Sequence, residues 1–422
     1  MTEKSILTKN QIPLYSLTDP TKHSFFLSLY LRCGSMHESA DSSGLTHLFE
    51  HISIRNINAV MGNELYSTLD KYGIELGAST YSEMVQFYVC ASPENFHVAS
   101  EILAKIFCPI QLSAQELEAE KKRVKAEIRE ADEKSSLAGF TAGCVFGDTP
   151  LSRPITGTLG SVSKITKRRL EEFRQQSFIP DNLFFFATGN LSDGDLSDFA
   201  DSLSRYPLGS GQGNKNVAII PPTFFNRSGE VFRKNADFCK VRFTFDLDMS
   251  KISVPEADLV YDILLSGYSS DLFIEMSEKR GMFYDVGGSL ERYLNVGTLT
   301  FSYEVQPKRL LESLEVAVGL LLDYKRKLLP PDRCMKAGYV TNCYMLLDDP
   351  RELNFTMAYD SHILGLGYTS LDQRRGAYAD VTPERLQELA NIIFKSENLT
   401  LTMKCPKSDF DGAGIIEITS RL

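Results

Sequence analysis

Apolar residues recur along the chain with two rhythms, one of period two and one near 3.6. Ile12 to Leu17 and Ser24 to Leu31 alternate as strands, and Asp19-Pro20-Thr21-Lys22 reads as the turn between them. The period then lengthens, predicting a helix from Ser42 to Asn58 and a second from Gly62 to Tyr72, which stops at Gly73. Alternation returns over Ile74 to Thr80 and Val85 to Cys90, followed by a helix from Pro93 towards Phe107. Ala114 to Lys134 predicts a long helix in which 13 of 21 residues are charged. Its apolar positions Leu117, Val124, Ile128 and Ala131 form one narrow stripe. A shorter helix over Lys164 to Gln175, a buried strand at Asn182 to Gly189 and a helix at Asp193 to Leu203 complete the first half.

The order then begins again. Phe238 to Asp248 reads as a strand, Pro255 to Leu265 as a helix and Asp271 to Lys279 as another. Alternating strands including Val296 to Glu304 follow, then helices at Lys308 to Lys327 and Thr382 to Phe394 and a strand at Leu399 to Met403. This recurrence predicts an internally duplicated α+β chain, each half a mostly antiparallel sheet packed with helices. The Gly-rich stretch Pro207 to Lys215 is the linker candidate. The expected division is residues 1–206, a linker over 207–230 and a second domain over 231–422.

Composition narrows the function classes. At 422 residues two domains are the prior. A net charge of −10 argues against nucleic acid as a partner. No apolar run approaches the ~18 residues of a membrane span, and Met1 to Gln11 does not read as a signal peptide. The eight cysteines are scattered singly, which predicts reduced thiols in a cytoplasmic protein.

Candidate chemistry centres on His47-Leu48-Phe49-Glu50-His51. On a helix His47 and His51 stack on one face and can reach one metal ion, and Glu50 borders that face. Two neutral imidazoles suit zinc, and a carboxylate that does not ligate it can take a proton from water. Histidines four apart also arise by chance and are then more often structural. The placed Glu, in a chain with only six histidines, favours the metal, in the inverted order of an inverzincin. A third ligand must come from elsewhere. On the charged helix Glu120 and Glu127 border the apolar stripe, where a carboxylate needs a partner; Glu116 and Lys134 lie not far from the same edge, so the geometry nominates Glu127 without excluding them.

Together these residues resemble the zinc metallopeptidases of the pitrilysin and insulinase type, most closely the half-length group around mitochondrial processing peptidase and its bacterial relatives. Three separated signals carry the resemblance: His47 to His51; Glu127, 76 residues beyond His51, with Glu120 seven before it; and Ser277-Glu278-Lys279-Arg280-Gly281-Met282-Phe283-Tyr284. It spans nearly the whole chain. It implies that His47, His51 and Glu127 ligate one zinc ion, that Glu50 is the general base and that Glu120 orients the site. It further implies that Arg280 and Tyr284 bind peptide and help to stabilise the oxyanion. An edge strand, here Gly77-Ala78-Ser79-Thr80, would pair its backbone with an extended substrate. Gly77 stands where the family usually has Asn, and Ile52-Ser53-Ile54-Arg55-Asn56 replaces a more apolar stretch.

The expectation is a zinc-dependent endopeptidase acting on short or unfolded peptides inside a closed chamber, with leader-peptide processing among its uses. The chain would pair with a second copy or with a related subunit. Two rival readings keep less chemistry: an inactive or partner-dependent subunit of a heterodimeric processing peptidase, and a plain metal-binding scaffold. Inactive subunits typically lack part of the zinc motif or of the Arg/Tyr pair, and this chain retains both.

Overall fold

The computed structural model describes residues 1–214, 227–232, 237–265, 270–282, 286–329, 344–406 and 411–422, with the side chains of 131–136 and 227–232 outside the description. Two compact units are present. The first comprises Met1–Lys134, Arg153–Val217 and Thr341–Arg374; the second comprises Ser135–Ser152, Ala218–Val340 and Arg375–Leu422.

The first unit is built on a six-stranded sheet: β1 (Lys4–Leu7), β2 (Pro13–Thr18), β3 (Phe25–Leu31), β4 (Glu75–Thr80), β5 (Val85–Ala91) and β6 (Leu183–Gly189). They lie in the order β1-β2-β6-β3-β5-β4, antiparallel except for β2 beside β6, so β4 is an edge strand. Every residue of β6 is buried because both faces are covered. Phe185 and Ala187 face a core shared with α1 (Leu45–Val60), α2 (Leu65–Tyr72), α3 (Phe96–Ala104), α4 (Ala114–Phe146), α5 (Leu159–Lys164), α6 (Lys167–Ser177) and α7 (Asp193–Ser202). Phe184 and Phe186 face the other way, into a smaller cluster with Leu17, Tyr30 and Met84.

The second unit carries β7 (Arg227–Phe232), β8 (Cys239–Asp248), β9 (Val286–Arg292), β10 (Val296–Val305) and β11 (Leu399–Cys405), in the order β7-β11-β8-β10-β9. Again only the first pair, β7 beside β11, is parallel. Without β1, the order in the first unit is the same, each strand matched by its counterpart in sequence: β2 with β7, β3 with β8, β4 with β9, β5 with β10 and β6 with β11. The expected duplication is therefore a duplication of topology. Helices α8 (Val254–Leu265), α9 (Asp271–Phe273), which continues as a π turn over Ile274–Glu278, and α10 (Leu310–Arg326) belong to this unit.

The fold departs from the expected single break at 207–230 in two places. The long helix does not stop at Lys134 but continues to Phe146 through Leu137, Thr141 and Val145, buried at four-residue spacing, and its end is grouped with the second unit. Conversely, α11 (Pro350–Ala358) and its continuation cover the second face of the first unit's sheet with Leu353, Met357, Ala358 and Leu371. Its Asn354, fully buried, donates to the carbonyls of Phe186 (2.8 Å) and Phe26 (3.3 Å) and accepts from the Tyr30 hydroxyl (2.9 Å). That stretch is too polar, with Arg351, Glu352, Asn354 and Thr356, to predict burial from periodicity. Helices α12 (Leu371–Ala379), α13 (Pro383–Ile393) and α14 (Gly412–Thr419) end the chain. Residues 215–226 of the expected linker lie outside the described residues.

Candidate metal centre

Helix α1 carries the first part of the site, and its start is unusual. Gly44 has φ +85, and a Cβ there would stand 2.6 Å from the carbonyl oxygen of Thr156, so glycine is required. The first turn is capped by a distant carboxylate. Glu38 accepts from the backbone N–H of Gly44 (2.8 Å) and Thr46 (2.7 Å), and Arg153 donates to the Glu38 carbonyl at 2.6 Å. Burial raises the Glu38 pKa, and these donors only partly oppose it. The apolar face of α1, with Leu48, Phe49 and Ile52 fully buried, then turns His47, Glu50 and His51 towards α4.

Leu117, Val124 and Ile128 of α4 are buried as the stripe predicted. The two glutamates divide: Glu120 is 1% exposed, inside the stripe, and Glu127 is 46% exposed, on its border. Glu127 Oε2 lies 3.1 Å from His47 Nε2 and 3.5 Å from His51 Nε2. Zinc with bonds of ~2.0–2.2 Å in tetrahedral geometry separates its ligand atoms by about 3.3 Å, so these distances fit it. Ligand atoms of all three residues fall within 4.8 Å of one another, and among the described residues no other metal-competent cluster occurs. Glu116, left open by the sequence, instead accepts from Ser113 at the helix start (2.8 Å).

The surroundings are arranged for a cation. Burial lowers the His47 pKa, but the carboxylates of Glu50 and Glu127 outweigh it and raise it overall. Three protein ligands, rather than four, is the pattern of catalytic zinc, with one position left for substrate or water. Glu50 is not one of the three. Its Oε2 accepts from the Thr80 hydroxyl at 3.0 Å and lies 3.6 Å from His47 Nδ1, an ionic contact longer than a hydrogen bond. Glu120 Oε2 faces His51 Nδ1 at 3.7 Å, and its Oε1 takes Arg123 Nη1 at 2.8 Å and Arg55 Nε at 3.0 Å. The carboxylate behind His51 is therefore itself clamped by two guanidiniums, a support that metal-ligating histidines commonly need.

Arg55 and Arg123 were missed by sequence reasoning. A signal existed: Arg55 is four residues after His51 and Arg123 three after Glu120, so each shares its neighbour's helix face.

β4 lies at the edge of the described sheet, and the expectation about Gly77 is corrected. Leu76 and Ala78 pack against the core beneath α1, so Thr80 falls on the same side and Gly77 and Ser79 on the other. The Gly77 position does not merely lack a side chain. A Cβ there would be 2.4 Å from the ring and hydroxyl of Tyr88, its cross-strand partner, whose hydroxyl donates to Glu75 at 3.2 Å. Tyr88 fills the space an Asn would use.

Arg280 lies in the second unit, just after the π turn. Its Nη1 donates to Glu275 Oε2 at 2.6 Å and to the Glu275 carbonyl at 2.7 Å, and the guanidinium remains partly exposed. Hydrogen bonds from Lys279 and Arg280 hold the Glu275 carboxyl below its ordinary range. Tyr284 lies outside the described residues.

Comparison with known proteins agrees with this geometry. Residues 14–159 match the insulinase (peptidase family M16) domain, and residues 164–333 match the peptidase M16 inactive domain. The chain belongs to the insulinase family, peptidase family M16. Similar curated proteins are an uncharacterized zinc protease of Mycobacterium bovis, 25% identical over 312 residues covering 72% of this chain and 70% of that one, and an uncharacterized zinc protease of Bacillus subtilis, 22% identical over 326 residues covering 76% and 78%. Among solved structures, a protease from Helicobacter pylori superposes with a TM-score of 0.85 at 17% identity, covering 96% of this chain and 99% of that one. The periplasmic protease PqqL from Escherichia coli gives 0.81 at 14%, with this chain spanning 50% of its length. Identities this low establish the fold alone. No helix among the described residues is long and apolar enough to cross a membrane.

Proposed function

We propose that this M16 chain is a zinc-dependent endopeptidase that hydrolyses short or unfolded peptides. The observation that carries the reading is the convergence of His47, His51 and Glu127 from two helices at zinc spacing, with Glu50 beside them but outside the ligand set. Zinc held there supplies Lewis acidity, polarising a carbonyl oxygen and making water a competent nucleophile near neutral pH. Glu50 accepts the proton of the attacking water and returns it to the leaving amine. Glu120, clamped by Arg55 and Arg123, holds the His51 ring in its ligating orientation. The edge of β4, unpaired among the described residues, offers backbone N–H and C=O groups over Gly77, Ala78 and Ser79 to an extended peptide, which orients the scissile bond without selecting much of its sequence.

In this reading Arg280 and Tyr284 bind the peptide, and binding exchanges the Arg280 contact with Glu275 for one to substrate. The half-length chain pairs with a second copy or a related subunit to enclose the substrate, and leader peptides are among the extended substrates such an enclosure admits. A reducing, cytoplasmic setting suits the six described cysteines, all unbridged. Zinc content measured beside cleavage of unstructured peptides, with and without a chelator, tests the reading. Stoichiometric zinc with chelator-sensitive cleavage is expected. Zinc without cleavage by the purified chain would favour the inactive or partner-dependent subunit, and absence of both would overturn the assignment. Sizing of the same sample separates homodimer from heterodimer.

A further inference from the structure

Thr80 is the last residue of β4, and its side chain is the only one on that strand with a hydrogen bond to the residue assigned as general base. We infer that Thr80 is a positioning residue. Its hydroxyl fixes the Glu50 carboxylate in the rotation that presents the second oxygen to the attacking water, and ties that carboxylate to the strand along which the peptide is read. This rests on the peptidase reading above and deepens it.

Three observations support the role. First, the contact is directional: Thr80 Oγ1 donates to Oε2 of Glu50 at 3.0 Å, and His47 Nδ1 also approaches Oε2, at 3.6 Å. Both contacts converge on one oxygen. Among the described residues neither of these contacts involves Oε1, and in the peptidase reading that oxygen takes the water's proton. A carboxylate anchored through one oxygen cannot rotate without breaking the Thr80 bond. Second, the two partners come from different elements separated by 30 residues in sequence, so the bond is not a local helix contact. It joins α1, which holds two metal ligands, to the edge strand. Third, the strand's alternation requires this face. Leu76 and Ala78 pack towards the core under α1, and Thr80 is the next residue on that side. Because Thr80 pairs with Val85 at the end of β4, its backbone is in register with the strand while its hydroxyl is on the base. A peptide paired along β4 is thereby placed relative to Glu50 through a single residue. Valine, with the same branched shape and no hydroxyl, keeps the strand and loses the anchor.

The test compares T80V and T80S with the zinc-loaded parent chain, using an internally quenched peptide chosen from an unstructured library. Losing the orientation but not the presence of a general base is expected to lower kcat about 10- to 100-fold in T80V, within the range such catalysis contributes. KM and zinc content are expected to stay unchanged, and T80S to recover most of the rate. A crystal structure of each variant gives a readout independent of turnover: one orientation of the Glu50 carboxylate in the parent and T80S, and a rotated or divided one in T80V. Parent-like kcat in T80V, equal losses in T80V and T80S, or an unchanged Glu50 carboxylate in T80V would each overturn the inference. If the zinc-loaded parent cuts no peptide, the peptidase reading fails, while the carboxylate orientation in T80V still decides whether Thr80 positions Glu50.

Discussion

Glu120 permits the sharpest test of how the site is supported, because it lies behind the candidate ligand His51 without belonging to the candidate ligand set. Its carboxylate is 1% exposed and faces Arg123 at 2.8 Å, Arg55 at 3.0 Å and His51 at 3.7 Å. At an effective dielectric of about 20, each guanidinium contact is worth roughly 5–6 kcal/mol of gross attraction. Most of that is offset by the cost of taking the carboxylate out of water. Arg123 is 59% exposed and Arg55 26%, so both can turn to solvent once Glu120 loses its charge. The Glu120→Gln variant is therefore expected to lose only about 1–2 kcal/mol of stability, below the ~3–5 kcal/mol of stranding a fully buried charge. Zinc binding should suffer more in proportion. With the carboxylate behind its Nδ1 gone, His51 loses its preferred ring orientation, and affinity is expected to fall about 10- to 100-fold, or roughly 1.4–2.7 kcal/mol. Competition against a fluorescent zinc chelator reads the affinity, and urea unfolding of the zinc-free protein reads the stability. Affinity within twofold of the parent would refute the supporting role. So would a loss of affinity fully explained by unfolding of the zinc-free chain.

Glu50→Gln is expected to keep one zinc per chain and to lower kcat by about 10²- to 10⁴-fold; undiminished turnover with clean metal content would remove Glu50 as the base. Glu127→Ala should abolish stoichiometric zinc, leaving two imidazoles on one helix, and retention of tightly bound metal would show that the third ligand lies elsewhere. Asn354→Ala leaves the buried Phe186 carbonyl and the Tyr30 hydroxyl short of a partner and is expected to cost about 2–4 kcal/mol, read as a fall in urea midpoint; a cost below about 1 kcal/mol would deny that Asn354 pins α11 to the sheet. Burial alone would raise the Glu256 pKa, but hydrogen bonds from Arg385 and Ser253 outweigh it and hold the carboxyl below its ordinary range. That contribution is complete above the unfolded value of about 4.3 and is lost as pH falls through the lowered folded value, so Glu256→Gln should flatten the acid side of the stability profile; an unchanged acid limb contradicts this.

The candidate metal site was partly legible because spacing on one helix and an apolar stripe on another are local signals. The periods of two helices brought His47 and His51 onto one face and put Glu127 beside the apolar stripe, but choosing Glu127 over Glu116 rested on the family resemblance. The duplicated α+β architecture was legible for a similar reason, since strand and helix rhythms recur in the same order. What escaped were features set by distant contacts. Arg55 reads as an exposed helix residue until Glu120 is placed beside it. Thr80 reads as one more β-branched strand residue until α1 is laid against its face. The end of α4 was obscured by Gly139 and Gly143, whose low helix propensity is overridden by burial of Leu137, Thr141 and Val145. Helix α11 was missed because its buried side carries Asn354, a polar residue that is at home there only where two carbonyls and a hydroxyl await it.

That helix has a consequence for the order in which the chain can be made. One face of the first unit's sheet exposes Leu17, Tyr30, Phe184 and Phe186 until Leu353, Met357 and Leu371 arrive to cover it. A ribosome extends a chain at about 5–20 residues per second, so this apolar face stands open for roughly 8–35 s after β6 has been synthesised. The candidate ligands, all before residue 130, come together on the opposite side of the sheet and do not depend on that late segment for their own packing. A fragment ending at residue 206 is therefore expected to assemble the metal site and still aggregate through its uncovered face. Supplying the 344–374 segment in trans is the natural way to rescue it.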